Sequence, residues 1–203
     1  MYKDSTCIPT WWPTGRTVLL PKTKSLEDEK NYRPITCLNT SYKIMTGVIA
    51  KYMRQHAMEN EIWDEGQLGA VEGVLGTVDQ LIIDRCIMEE VKQYHRNLAV
   101  AFYDYKKAYD KVHHDWMLRV YRWIGIPQQV IKLISNLMQL WKTRLEIWSK
   151  GEKMISRWIN ISCGFLQGES YSPAGFCISE IPVCLLLKQS KGYTEWDHLE
   201  GEK

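Results

Sequence analysis

The sequence predicts an α+β fold, and three observations support that prediction. Short apolar runs bounded by Pro and polar turns are typical of strands. Other segments repeat apolar residues at helical spacing. The two kinds of element follow one another without the regular strand–helix–strand alternation of a doubly wound sheet. With 203 residues, 45% of them hydrophobic and 25% charged, the chain has the composition of one large or two small globular domains, which argues against disordered and collagen-like chains.

The first segments predict two strands and a helix. The apolar run Arg16–Leu20, which Pro21 ends, and the run Arg33–Leu38 are the predicted strands. Asn39 or Thr40 is predicted to cap the helix that follows. Its apolar positions recur with a period near 3.6 residues and are Ile44, Met45, Val48, Ile49, Tyr52 and Met53.

The middle of the chain predicts a loop, a helix and a strand. Asp64–Gly76 is rich in Gly and is predicted to be a loop. Thr77–Gln80 has the spacing of a capping box and is predicted to open a helix. The continuous apolar run Leu98–Asp104, which ends in an acid, predicts a buried strand.

The remaining segments predict helices around a hairpin. One helix is expected over about Asp115–Ile124, and a second from Pro127 to about Trp141. The runs Thr143–Trp148 and Met154–Ile161 flank a turn and predict a β-hairpin. A loop over Ser162–Ser172 then leads to a last apolar helix that begins at Pro173.

Charge is distributed unevenly along the chain, although the net charge is only +2. Residues 55–90 contain nine acidic residues and one base, whereas residues 119–157 contain eight bases and two acids. Such asymmetry suggests a surface that could follow a phosphate backbone. The alternative is that both stretches are solvated helix faces, and charge alone does not separate the two interpretations.

Cysteine usage and hydropathy predict an intracellular, reducing compartment, without separating nucleus from cytoplasm. The six cysteines contain no Cys-x-x-Cys pair, so we expect free thiols and neither a disulfide framework nor a metal cluster. The longest apolar run, near Ala174–Leu187, is interrupted by Glu180 and is too short to span a bilayer, so no membrane partner is expected. The first residues contain no apolar stretch of a secretory signal.

Three local patterns could support chemistry, and each has an ordinary structural alternative. Asp104 follows an apolar run and could bind a hard cation such as Mg²⁺, or it could cap the next helix. Gln167 lies beside glycines that would let a backbone approach a ligand, or that would form a plain turn. Lys22 and Arg33 could clamp a triphosphate from two neighbouring strands, or lie as surface charges on a hairpin.

Taken together and in order, these patterns resemble the reverse transcriptase domain of non-LTR retrotransposons. The matching strings are G-R-T-x-L-L-P-K (15–22), N-Y-R-P-I-T-C-L (31–38), F-Y-D-Y-K-K-A-Y-D-K-V-H-H (102–114) and G-F-L-Q-G-x-S-x-S-P (164–173). The matching segments run from about Thr14 to Tyr193. The resemblance implies RNA-templated DNA synthesis on a right-hand polymerase fold, with an RNA template, a DNA primer and dNTPs as partners.

The resemblance also assigns roles to residues of the third string. Asp104 matches the catalytic aspartate, which bridges two Mg²⁺ ions in the family, and the carbonyl of Tyr105 matches a further metal ligand. Tyr109 matches the aromatic residue that lies under the sugar and excludes a 2′-hydroxyl, and its alternative is a core tyrosine. Asp110 and the cluster from His113 to Asp115 are expected to cap or orient the next helix.

The other strings imply contacts with the nucleotide and the nucleic acid. Lys22 and Arg33 would contact the phosphates of the incoming nucleotide, and Lys24 competes with Lys22 for that role. Gln167 and Gly168 match the block that lines the nucleotide pocket. The loop 67–76 is expected near the template, and the basic stretch 119–157 is expected to face template–primer phosphates.

One departure from the family pattern bears on activity. The family's second source of catalytic carboxylates is a Tyr/Phe-x-Asp-Asp turn after the Gln-Gly block, and this sequence contains no Asp-Asp pair. We therefore expect a fingers-like region over 1–97 and a partial palm over 98–203, cut short or decayed before that turn and with no thumb. Such a chain would be catalytically inactive alone. The alternative functions are a non-catalytic nucleic-acid-binding remnant and an inert product of a decayed element.

Overall fold

A computed structural model describes residues 8–22, 27–64, 66–69, 71, 73, 75–149 and 151–189, and it confirms the α+β prediction. The strands are β1 (Thr14–Pro21), β2 (Tyr32–Leu38), β3 (Lys142–Ser149), β4 (Glu152–Ile155) and β5 (Ile159–Asn160). The helices are α1 (Thr40–Glu59), α2 (Thr77–Gln93), α3 (Ala108–Lys111), α4 (His114–Trp123), α5 (Gln128–Leu140) and α6 (Ser172–Lys188). A 3-10 turn at Glu29–Asn31 precedes β2.

The strands form one mixed sheet in the order β2-β1-β3-β4, with β5 paired to β3. β1 and β2 are an antiparallel hairpin in which Leu20 lies opposite Arg33. β1 runs parallel to β3, so that Arg16 lies beside Arg144. The sheet therefore joins strands from both ends of the described chain. The predicted second hairpin is confirmed, with its returning strand divided into β4 and β5.

One face of the sheet is held by buried threonine hydroxyls. The Thr17 hydroxyl lies 2.8 Å from that of Thr36 on β2 and 2.6 Å from that of Thr143 on β3. All three side chains are buried. Because an unpaired buried hydroxyl is costly, this chain of hydrogen bonds favours the observed register of the three strands.

The hydrophobic core lies between α1, α4, α5, α6 and the loop before α6. Its most deeply buried side chains come from several elements at once: Met53, Met117, Tyr121, Ile131 and Ile178. The predicted helices α1, α4, α5 and α6 are confirmed within a few residues of the expected bounds. Asn39 caps α1 as predicted, since its side chain accepts from the amide of Ser41.

The buried face of α1 agrees in part with the predicted apolar positions. Met53 is buried, and Met45 and Ile49 are half-buried against the core. Ile44 and Val48 are 66% and 65% exposed. The full set of buried positions on this helix is Tyr42, Thr46, Ala50, Met53 and Ala57. The apolar period was correct, and tertiary packing decided which of its positions lie against the core.

The expectations for residues 77–104 are confirmed for the helix and wrong for the strand. α2 begins at Thr77 as predicted, although no side chain caps it as in a capping box; the Asp79 carboxylate instead accepts from the amide of Leu75 at 2.7 Å. Residues 98–104 form no strand and are exposed. A strand needs a neighbour to satisfy its backbone groups, and no described strand lies beside this run, so its apolar composition alone did not produce one.

Five of the six cysteines lie in the described part of the chain. Cys37, Cys86, Cys163, Cys177 and Cys184 are unpaired, and Cys7 lies outside the described residues. Among the described helices, none combines the length and hydropathy required to cross a bilayer.

Candidate functional site

The Gln-Gly loop lies against the outer edge of β2. The amide of Thr36 donates to the carbonyl oxygen of Gln167 at 2.7 Å. Gly168 has a φ of +112°, and a Cβ built there would lie 2.4 Å from the carbonyl oxygen of Thr36. Only glycine fits this combination of backbone angle and contact. The glycine of this string thus lets the loop approach the strand.

A second set of backbone contacts joins the same loop to the segment around α3. The amide of Phe165 donates to the carbonyl of Tyr109, and the amide of Gly164 donates to the carbonyl of Val112, both at 2.8 Å. Lys107 adopts a left-handed conformation with φ of +58° just before α3. These contacts bring the third and fourth strings of the sequence together at β2.

Tyr109 is supported by two phenylalanines. Its ring lies 4.9 Å from the ring of Phe176 on α6, at 30°, and 6.3 Å from the ring of Phe165 in an edge-on arrangement. Partial burial raises the pKa of the Tyr109 hydroxyl above its usual value. The ring is therefore neutral at physiological pH and held on both sides.

A cavity of about 530 Å³ opens beside this ring. It brings together four of the residues singled out by the sequence: Arg33, Tyr109, Gln167 and Gly168. Lys107 also lines it, so two cations face the same space. The amide nitrogen of Gln167 donates to the carboxylate of Asp110 at 2.9 Å, which leaves the amide oxygen as the group able to accept from a ligand.

Three other predicted residues do not line this cavity. The backbone amide of Lys22 donates to the carbonyl of Asn31 at 2.6 Å, which places Lys22 two residues beyond the Leu20–Arg33 pair. Asp104 is exposed in the irregular run before α3. Tyr105 packs edge-on against Phe176 at 6.5 Å, and its hydroxyl hydrogen-bonds to Glu180, which raises its pKa to about 12. Lys24, Gly192 and Tyr193 lie outside the described residues.

Asp104 and Tyr105 offer oxygen atoms of the type that binds a hard cation, but they are only two residues. The carboxylate of Asp104 and the carbonyl of Tyr105 are oxygen ligands, which Mg²⁺ prefers. Within the described part of the chain, however, no three His, Cys, Asp or Glu side chains come together as a metal site.

A buried carboxylate beneath the cavity was missed by sequence reasoning. Glu169 is 4% exposed, accepts from the hydroxyl of Tyr42 at 2.7 Å, and also lines the cavity. The indole of Trp141 donates to the same Tyr42 oxygen at 2.7 Å. Burial raises the pKa of the Glu169 carboxyl to about 7. The sequence offered one signal, an acid between glycine and serine in an otherwise uncharged string, but the hydrogen-bond partner Tyr42 lies far away along the chain.

Comparison with known proteins identifies the family of this chain. A sequence model of the family described as "Reverse transcriptase (RNA-dependent DNA polymerase)" matches residues 20–189. The chain is 29% identical over 166 residues to the retrovirus-related Pol polyprotein from the type-1 retrotransposable element R2 of Popillia japonica, a match that covers 82% of this chain and 22% of that protein.

Two further relatives have similar names. The corresponding R2 polyprotein of Nasonia vitripennis is 26% identical over 91% of this chain and 17% of its own length. The Pol polyprotein of the type-2 element R2DM of Drosophila melanogaster is 26% identical over 80% of this chain and 14% of its own length. The chain thus spans about a fifth, or less, of these curated relatives. It belongs to the reverse transcriptase (RNA-dependent DNA polymerase) family, and its resemblance to the reverse transcriptase domains of non-LTR retrotransposons is confirmed.

Proposed function

We propose that the cavity beside Tyr109 binds a deoxynucleoside triphosphate for RNA-templated DNA synthesis. One observation supports this proposal above the others: residues from three separate strings of the sequence, Arg33, Tyr109 and the Gln167–Gly168 pair, line a single cavity. In this proposal the domain acts on an RNA template and a DNA primer, as the family description implies.

Each lining residue has a chemical role in the proposal. Arg33 presents a planar fork of donors to the phosphates. Lys107, from the string 102–114, adds a point charge to the same cavity. Lys22, near the same end of the hairpin, contributes a further charge as the phosphates enter. The Tyr109 ring, supported by Phe176, leaves no room for a 2′-hydroxyl. Gln167, oriented by Asp110, offers its amide oxygen to a sugar or base donor.

We further propose that this chain does not polymerise by itself. Asp104 and the carbonyl of Tyr105 would hold Mg²⁺, which in the family supplies an activated primer hydroxyl and stabilises the leaving pyrophosphate. The sequence has no Asp-Asp pair to complete a two-ion centre. Residues 1–97 are proposed as a fingers-like region and 98–203 as a partial palm, in an intracellular, reducing compartment.

The test separates nucleotide binding from catalysis. Fluorescence titration of the full chain with a labelled dGTP analogue should show saturable binding, and Arg33→Ala should weaken it at least tenfold. Arg85→Ala is the matched control, because Arg85 is exposed on α2 and pairs with Glu89. Equal affinity of the wild type and Arg33→Ala would refute the nucleotide site. Template-dependent dNTP incorporation by the pure chain, abolished by Asp104→Ala, would refute the proposed inactivity.

A non-catalytic nucleic-acid-binding role is the second candidate. The observation that favours it is the exposed, irregular conformation of the segment with Asp104, in which Phe102 and Tyr103 are 87% and 76% exposed. A catalytic carboxylate needs a fixed position, and this segment has no paired strand within the described residues to fix it. Binding of RNA without any nucleotide affinity would support this candidate over the first.

A further inference from the structure

Two exposed tryptophans lie on the part of the sheet formed by β3, β4 and the residues between β4 and β5. Trp148 is 69% exposed and Trp158 is 51% exposed. Each ring has a cation over it: the Lys153 ammonium lies 6.0 Å from the centre of the Trp148 ring, and the Arg144 guanidinium lies 5.1 Å from that of Trp158. Large aromatic rings left accessible on a rigid sheet, with cations beside them, are typical of a binding surface.

The cations beside these rings are fixed by one shared carboxylate. Glu146 is 3% exposed and lies 3.0 Å from Lys153, 3.3 Å from Arg144 and 3.5 Å from Arg16. The strand register supports the cluster, since Arg16 pairs with Arg144 across β1 and β3, and Trp148 pairs with Lys153 across β3 and β4. Three positive charges surround one negative charge, so the cluster keeps a net positive charge.

We propose that this aromatic–basic face, formed by Arg16, Arg144, Glu146, Trp148, Lys153 and Trp158, binds single-stranded nucleic acid. Trp148 and Trp158 would stack on unpaired bases, while Arg16, Arg144 and Lys153 would contact the phosphates. The bases of a duplex are already stacked on one another, so its backbone could reach the cations but its bases could not reach the rings. The chemistry that recognises the ligand is shared by RNA and DNA strands: an accessible base face and a phosphate.

This face does not depend on the proposed nucleotide site. None of its six residues lines the cavity beside Tyr109. A chain that bound no nucleotide could therefore still bind a strand here, and the two proposals can fail separately.

Substitution of Glu146 distinguishes nucleic-acid binding from a purely structural role of the cluster. The Glu146 carboxylate competes with phosphates for the same three cations. Glu146→Gln removes one negative charge at nearly constant shape, so it should tighten oligonucleotide binding several-fold and steepen the dependence on salt. If the cluster served only to hold the strands together, the same change would weaken the fold without tightening binding.

The experiment measures fluorescence anisotropy of labelled 12-mer oligo(U), oligo(dT) and a 12-base-pair duplex with the full chain at 50 and 200 mM salt. We expect both single strands to bind more tightly than the duplex. Trp148→Ala and Trp158→Ala should each weaken single-strand binding about 5- to 100-fold, the range measured for loss of one stacked base. Lys153→Ala should reduce the salt slope by about one.

Matched controls test the location of the site. Trp123→Ala changes another exposed tryptophan, 59% accessible on α4, and should leave binding unchanged. Trp148→Phe retains an aromatic ring and should retain most of the affinity, so it guards against a Trp148→Ala chain that fails to fold.

Three results would overturn the proposal. One is wild-type affinity in both tryptophan variants with unchanged circular dichroism. Another is Glu146→Gln binding no tighter than the wild type. The third is a labelled poly-glutamate peptide that binds as tightly as oligo(U), with neither ligand losing affinity in the tryptophan variants. That result would identify a general anionic partner. A preference between oligo(U) and oligo(dT) would identify RNA or DNA as the ligand, and either preference supports the proposal.

Discussion

The amide of Thr36 and the carbonyl of Gln167, 2.7 Å apart, tie the outer edge of β2 to the Gln-Gly loop. This single backbone bond places Arg33, three residues earlier on β2, at the rim of the cavity that Gln167 also lines. The edge of the sheet thus positions two strings of the sequence whose bonded residues, Thr36 and Gln167, lie 131 positions apart.

Gly168→Ala should disrupt this junction. The added Cβ would lie 2.4 Å from the Thr36 carbonyl oxygen, at a φ of +112° that side chains rarely adopt. We expect a loss of roughly 2–4 kcal/mol in the free energy of unfolding, measured by urea denaturation. Gly151→Ala is the control: its φ is +83° but no atom lies within 4 Å of the new Cβ, so only about 1 kcal/mol should be lost. Equal losses in the two variants would contradict the steric argument.

Glu169 should make folding stability depend on pH. Burial raises its pKa from 4.5 to about 7, so between these values the folded chain binds more protons than the unfolded chain. The free energy of unfolding contributed by this group therefore falls as pH rises through that window, by roughly 3 kcal/mol in total.

Glu169→Gln, which keeps an oxygen to accept from Tyr42, should remove this loss. Relative to the wild type, the variant should gain stability between pH 4 and pH 8, as followed by chemical denaturation at each pH. Glu152→Gln changes an exposed glutamate and should show no such gain. A constant difference between Glu169→Gln and the wild type across this range would show that folding does not raise the pKa of the Glu169 carboxyl.

Tyr109→Ala should reduce discrimination between deoxy- and ribonucleotides if the proposed nucleotide site is correct. In the proposed site the ring would occupy the space that a 2′-hydroxyl needs, so its removal should raise the affinity for GTP more than that for dGTP. Competition against a fluorescent nucleotide gives both affinities. Tyr103→Ala, which removes a 76% exposed tyrosine from the preceding segment, should leave their ratio unchanged. A ratio that Tyr109→Ala does not alter would remove Tyr109 from sugar selection.

Phe176→Leu should weaken the same discrimination indirectly. Phe176 contacts Tyr109 at 4.9 Å and Tyr105 at 6.5 Å, so it supports the rings on both sides of the turn before α3. Leucine retains apolar volume but loses the flat contact, and the ratio of dGTP to GTP affinity should fall to a value between those of the wild type and Tyr109→Ala. Phe102→Leu, at an 87% exposed position, is the matched control. A ratio equal to that of the wild type would show that Tyr109 holds its position without Phe176.

The sequence by itself determined the local elements and the identity of the site strings. Turn residues and apolar runs located β1, β2 and the second hairpin, because these signals depend on neighbours a few positions away. Periodicity located α1, and capping, Gly and Pro signals located α2, α4, α5 and α6. The motif strings identified Arg33, Tyr109, Gln167 and Gly168, which the structure brings to one cavity.

Only the tertiary structure decided which surfaces are buried and which distant residues meet. The apolar run 98–104 is exposed because backbone pairing requires a partner strand, whatever the composition of the run. Ile44 and Val48 face outward because α1 packs against the core through the face that carries Tyr42 and Met53. Two clusters join distant parts of the chain. One contains Tyr42, Trp141 and Glu169. The other contains Arg16, Glu146 and Lys153. Contacts of this kind arise from the closure of the sheet and the packing of the core, and no local pattern in the chain encodes them.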